Sequence, residues 1–347
     1  MMGNWKTCQL GDLITFQRGH DLPKSKMKGG IYPVVGSNGI IGYHDEYTTE
    51  SPSITIGRSG NVGKPFLYKG RSWSHNTSLY IREYKDIDPI FIYYFLQTLD
   101  LGNYAGGSAV PTLNRNHIHT LTVTVPVDKN EQRQIASVLS VLDDKIEQNT
   151  EINENLAQQA QAIYADIFIT NADPAWPLGH LSDLITVRYG KDHKKLADGP
   201  FPVYGSGGVM RYVERPIYEK ESVLIPRKGT LNNVMYVNEP FWSVDTMFFT
   251  EMKLPDVAKF IFHFVKSKDL ASLNAGSAVP SMTTDILNAM ELSIPDAETL
   301  KRFENIVGPM YRAMQHNSEE SKKLAAVRDS LLPRLMSGEL DVSELDL

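Results

Sequence analysis

The feature that most limits how this chain can fold is a seven-residue apolar repeat carried by one uninterrupted run, EQRQIASVLSVLDDKIEQNTEINENLAQQAQAIYADIF, which lies in the longest stretch free of Gly and Pro. Alternating steps of four and three pick out a seam of Ile135, Leu139, Leu142, Ile146, Asn149, Asn153, Leu156, Ala160, Ile163 and Ile167. That spacing predicts a helix that packs along its whole length against another. Asp128 is placed to cap it, with Glu131 three residues on completing a capping box.

The matching helix is in the same chain. Adding 168 to each seam position gives Phe303, Val307, Met310, Met314, Asn317, Ser321, Leu324, Arg328, Leu331 and Leu335, and Asp296 answers Asp128. Each run of about 38 residues extends about 57 Å at 1.5 Å per residue, too long for an ordinary globular helix. If the two run antiparallel about a pseudo-two-fold axis, residues whose numbers sum to about 466 face each other across the coiled coil. Leu142 then meets Leu324, Leu156 meets Met310, Ile135 meets Leu331, and Asn149 lies opposite Asn317 at the midpoint.

The segments that precede the helices repeat as well. WKTCQLGDLITFQRG at 5–19 returns as WPLGHLSDLITVRYG at 176–190, and YPVVGSNGIIGY at 32–43 as FPVYGSGGVMRY at 201–212. SITIGRSGNVG at 53–63 answers SVLIPRKGTLN at 222–232, FIYYFL at 91–96 answers FIFHFV at 260–265, and GSAVP occurs at 107–111 and 276–280. Trp73 and Thr77 answer Trp242 and Thr246. Short apolar runs between Gly, Asn and Pro turns predict strands, and 88–99 and 257–267 predict helices. The expected fold is therefore α/β: two repeated mixed α/β domains, 1–127 and 170–295, separated by two long antiparallel helices, 128–169 and 296–347 with its tail. The shared tryptophans Trp5, Trp176, Trp73 and Trp242 sit beside apolar residues and are expected in the cores.

The net charge of −6 divides unevenly. Residues 128–168 and 296–347 carry 10 basic and 18 acidic residues, so the acidity belongs to the helices. The first globular part is then +3 and the second −1, so any contact with nucleic acid must come from local patches or from partner subunits. The single cysteine, Cys8, excludes an internal disulfide and fits a reducing compartment. No segment has the pattern of a signal peptide or a membrane span, which leads us to expect a cytoplasmic protein without a membrane partner.

The paired openings with DLIT, the YPV.GS.G blocks, the GRSGNVG and PRKGTLN loops, the GSAVP blocks, EQRQIASVLSVLDDKIE and the ending LLPRLMSGEL resemble, in that order, the specificity subunit of type I restriction-modification enzymes. The resemblance covers nearly the whole chain. It implies two target-recognition domains, each reading one half of a bipartite asymmetric site in double-stranded DNA, and helices that dock two methyltransferase subunits. Those subunits would bring S-adenosylmethionine for adenine methylation. Restriction motor subunits would bring ATP and Mg. The specificity subunit of a type IIB restriction system and a coiled-coil scaffold that binds only protein are the alternatives. Neighbouring genes separate the first, and absence of DNA protection in any assembly would mark the second.

Under the resemblance the repeat also sorts candidate contacts, because side chains identical in both copies cannot by themselves distinguish two different half-sites. Arg58 and Arg227, with Lys64 and Lys228 nearby, are expected at phosphates, and Ser37 and Ser206 in Gly-rich turns either approach phosphate or serve the turn alone. Residues that differ between copies are the candidate readers: Asn38, Asn61, His75, Asn76 and Arg115 stand opposite Gly207, Thr230, Val244, Asp245 and Thr284. Asn232 and Asn233 stand opposite Gly63 and Lys64. Asn suits adenine and Arg suits guanine in the major groove.

No catalytic chemistry is legible. GRSGNVGKP departs from a P-loop at Arg58 and Pro65, NADPAW at 171–176 lacks the paired prolines and aromatic of an adenine methyltransferase motif, and the nine His and one Cys show no metal-ligand spacing. A non-enzymatic subunit with no cofactor of its own is the expectation.

Overall fold

The structure, a computed structural model, describes residues 4–107, 111–273 and 281–342. The GSAVP repeats lie outside these residues apart from Gly107 and Pro111. Contacts divide the chain into two units, Met1–Asn149 with Ser318–Leu347, and Thr150–Asn317.

In the first unit, Trp5–Gln9 pairs antiparallel with Thr122–Pro126. A four-stranded sheet follows in the order Ile14–Arg18, Ser78–Tyr84, Ser53–Gly57, Pro65–Tyr68, and a three-stranded sheet in the order Gly39–His44, Tyr32–Gly36, Trp73–Ser74. Ser53–Gly57, the inner strand predicted from its apolar run, is buried at every position. The DLIT block turns the chain into the sheet: Asp12 accepts the Gln9 backbone N–H at 2.9 Å, while Leu13 and Ile14 enter the core. Asp88 caps the helix Pro89–Gln97 by accepting from the N–H groups of Ile90 and Phe91.

The second unit is built to the same plan. Leu178–His180 pairs with Glu291–Ser293, the four-stranded sheet runs Ile185–Tyr189, Met247–Met252, Ser222–Pro226, Met235–Val237, and the three-stranded sheet runs Gly208–Val213, Phe201–Gly205, Trp242–Ser243. Even irregularities recur. The bulge at Val34/Val35 is matched at Val203/Tyr204, and Asp183 accepts from the His180 N–H as Asp12 does from Gln9.

The two long helices are Lys129–Ala165, of 37 residues and continued by a π-helical turn Asp166–Thr170, and Ala297–Met336, of 40 residues. All twenty seam positions named above are buried or half-buried. Ile135, Leu139 and Leu335 belong to the core of the first unit, and Ala160, Phe303 and Val307 to that of the second. Asp128 caps through the Asn130 N–H and Asp296 through the Thr299 N–H. The expected capping box is replaced: the Glu131 carboxylate accepts the Trp5 indole N–H, and Asp296 accepts that of Trp176. Trp5 and Trp176 are thus half-buried braces at the helix starts. Of the four tryptophans, only Trp242 is a core residue, at 7% exposure.

The facing register lies within about a turn of the expected one: Lys145 pairs with Glu320 and Asn153 donates to Met314 O, numbers that sum to 465 and 467. In the first unit Arg328 pairs with Asp143 at 2.5 Å, and Asn149 donates to Glu320 and Ser321, so numbers rise on one helix as they fall on the other. In the second unit Asn153 donates to Met314 O at 3.1 Å and accepts from Asn317 at 2.9 Å, one partner on the expected register and one a turn beyond it. Apolar matching alone is nearly indifferent to a shift of one turn. Charge-assisted bonds to Asp143 and Glu320 are not, being roughly twice as strong as neutral ones.

His263 shows how the second unit fastens its helices. It is 2% exposed, with Nδ1 at 2.8 Å from Gln161 Oε1 and Nε2 at 3.0 Å from the Tyr311 hydroxyl. Burial, helped by the Lys266 charge, holds its pKa down to about 4 from 6.5. The unfolded chain therefore takes up a proton below pH 6.5 that the folded one refuses until about pH 4. Stability is fully present above pH 6.5 and falls as pH drops through that window, by about 2–3 kcal/mol at pH 4.5. Urea denaturation at pH 7 and 4.5 should show this loss in the native chain and a smaller one in His263→Gln. Equal losses in both would refute it.

Candidate nucleic-acid interface

The loops that hold the two shared arginines are built alike. Arg58 and Ser59 both donate their backbone N–H to Thr77 O, at 2.8 and 3.2 Å, and Arg58 O accepts from Leu113 N at 2.9 Å. Arg227 and Lys228 donate to Thr246 O at 2.9 and 3.2 Å, and Arg227 O accepts from Met282 N at 2.9 Å. Thr77 and Thr246 thus hold equivalent places, each through its backbone carbonyl. Gly60 and Gly229 take φ of +89° and +83°, and a Cβ on either would meet the hydroxyl of Ser37 or Ser206 at 3.1 and 2.7 Å. The two serines therefore pack the loop glycines.

Around this common scaffold the units diverge. In the first, Arg58 joins Arg18, Arg82 and Arg115 in a cleft of about 800 Å³, lined further by Gln17, Asn114 and His117 and, among the described residues, by no acidic one. Among the described residues none of these four arginines is ion-paired. Burial and the Arg18 charge hold the Arg58 pKa below its ordinary value, the mark of a cation without a counter-charge. In the second, Arg227 lies over the Tyr189 ring at 5.3 Å and donates to Asp245 O at 3.4 Å, while Arg188 pairs with Glu251 at 3.1 Å.

The other sequence candidates are scattered. Asn38 and Asn61 are exposed at turn tips, and Lys64 lies over Phe66 at 5.7 Å. His75 Nδ1 is 3.1 Å from Thr77 Oγ1, and Asn76 donates to Asp21. Asn232 is engaged at both ends, donating to Asp269 and accepting from Ala271 N, and Asn233 donates to Ser206 O. Lys228 is exposed and bridges to Ser281. Sequence reasoning missed Arg18 and Arg82. Arg18 stands opposite Tyr189, so the criterion that singled out Arg115 would have found it, had strand residues been compared as well as loops.

Residues 2–158 and 175–322 match the family model described as "Type I restriction modification DNA specificity domain". The chain belongs to that family. As a specificity subunit it is similar to the type I restriction enzyme MjaIX specificity subunit of Methanocaldococcus jannaschii, with 23% identity over 74% of this chain and 70% of the relative. It is likewise similar to a putative type I specificity subunit of Mycoplasma genitalium, at 23% identity over 96% and 94%. A crystal structure of a type I restriction-modification S subunit from M. genitalium shares the fold, with a TM-score of 0.68, 20% identity and 96% of each chain covered. The protein is a DNA specificity subunit. Among the described residues no cluster of His, Cys, Asp or Glu is arranged to hold a metal, and no helix is long and apolar enough to cross a membrane.

Proposed function

We propose that each unit reads one half of a bipartite asymmetric site in duplex DNA, and that the long helices, as an antiparallel coiled coil with pseudo-two-fold symmetry, dock two adenine methyltransferase subunits in the cytoplasm. Methylation and ATP-dependent cleavage then belong to the methyltransferase and motor subunits, which hold S-adenosylmethionine, ATP and Mg. The boundaries proposed for the recognition domains are 1–127 and 170–295. The observation that carries the reading is the duplicated arginine loop: one backbone scaffold, used twice, presents Arg58 and Arg227 from equivalent places among otherwise different side chains. A shared cation suits the phosphate backbone common to all DNA, and unlike neighbours suit unlike half-sites. Asn38, Asn61 and Asn76 are the candidate base readers that exposure or the lack of a buried role favours.

Purified with its methyltransferase subunits, the chain should direct methylation to two adenines in one split sequence, and the chain alone should methylate nothing. Sequencing the methylated bases of a host that carries the complex reads this out. Methylation scattered over unrelated sequences would defeat the proposal.

A further inference from the structure

Arg82 has no counterpart in the second unit. In the first unit Thr15 pairs with Glu83 and Phe16 with Ile81, so Arg82 is the extra residue of a β-bulge. In the second, Thr186 pairs with Glu251 and Val187 with Thr250, with no residue left over. Bulges bend a strand and re-aim a side chain. This one sets Arg82 into the cleft, 3.4 Å from Gln17 Oε1, beside Arg18 at the strand end and Arg115 at the start of the helix Arg115–His119. The equivalent places in the second unit hold Tyr189, under the Arg227 guanidinium, and Thr284. A concave surface carrying four arginines and, among the described residues, no acid is repelled by itself and calls for a polyanion.

We infer that Arg18, Arg82 and Arg115 form, with Arg58, a phosphate clamp on duplex DNA that only the first unit possesses, so that the two half-sites are gripped unequally. The inference rests on the DNA-reading function proposed above. The first unit then supplies most of the counterion release on binding, while in the second Arg188 and Arg211 meet DNA already paired within the protein. The difference does not follow from net charge alone, since Arg188 and Arg211 of the second unit are cationic too but are paired with Glu251 and Asp198.

The test uses the full chain with its methyltransferase subunits and two fluorescent duplexes, one bearing the methylated site and one of unrelated sequence, titrated from 50 to 250 mM salt, roughly the range over which phosphate binding is read. Arg18→Gln/Arg82→Gln should weaken binding to both duplexes and lower the slope of log K against log salt by about two, about one for each phosphate that is no longer neutralised. Arg188→Gln/Arg211→Gln, removing the same formal charge from the second unit, should change the slope by less than about half a unit. Arg18→Lys/Arg82→Lys should keep the slope, because a phosphate clamp needs charge and tolerates a change of shape. Equal flattening by both Gln pairs, an unchanged slope in the first, or a loss confined to the methylated-site duplex would each overturn the clamp while leaving DNA recognition standing. No binding by the unaltered complex would instead remove the function reading, and this inference with it.

Discussion

Lys259→Ala is expected to cost the second unit about 3–5 kcal/mol, the range for breaking a buried ion pair by removing one partner. Lys259 is 3% exposed, and its ammonium lies 3.0 Å from Glu221 Oε1 and 2.9 Å from Glu304 Oε1, with the faces of Tyr236 and Tyr311 at 5.0 and 5.6 Å. The Tyr236 hydroxyl also donates to Glu221. One buried cation thus joins the helix Ala258–Lys266, the end of the inner strand and the second long helix. Without it two carboxylates share a poorly hydrated site, and nothing offsets their repulsion. Adding Glu221→Gln and Glu304→Gln to the variant should recover most of the loss, because the cost lies in the charges left behind. Urea denaturation at pH 7 measures both steps. A loss below about 1 kcal/mol in the single variant, the level of a surface pair, would show that the network is worth little.

Gly57→Ala should cost the first unit about 3 kcal/mol, at the upper end for overpacking, and displace the Arg58 loop. A Cβ at Gly57 would lie 1.8 Å from Asn61 O and 2.8 Å from its carbonyl carbon, which are backbone atoms of a loop closed by Gly57 N to Lys64 O at 3.1 Å and Gly63 N to Gly57 O at 2.8 Å. The loop has to open to admit the methyl group. DNA binding should fall with stability, since Arg58 is carried on that backbone. Gly70→Ala is the control: nothing lies within 4 Å of a Cβ there, and stability should change by less than about 1 kcal/mol. Equal stability of Gly57→Ala and the native chain would contradict the close approach.

Much of the architecture is legible in the order of residues. The inner strands Ser53–Gly57 and Ser222–Pro226, the helices Pro89–Gln97 and Ala258–Lys266, and the two long helices fall where the apolar periods place them. Local pattern reports burial, and burial is what these elements share. The facing register of the helices is legible only to about a turn, because sliding Leu against Leu by a turn changes little. What separates the alternatives is Asp143 finding Arg328 and Asn153 finding Asn317. The candidate DNA contacts divide in the same way. Arg58 and Arg227 can be singled out from the repeat, whereas nothing local to Asn232 announces that Asp269 and Ala271 engage it from 37 and 39 residues away.

By itself the sequence determined the duplication, the family and the identity of the scaffold residues, since repeats and apolar periods are properties of order along the chain. Tertiary structure alone decided which arginines stand together without a counter-charge. Arg18, Arg58, Arg82 and Arg115 lie far apart in sequence and meet only because a bulge, a loop and a helix start converge on one cleft. Charge is a sum over neighbours in space, and the order of residues does not state who those neighbours are.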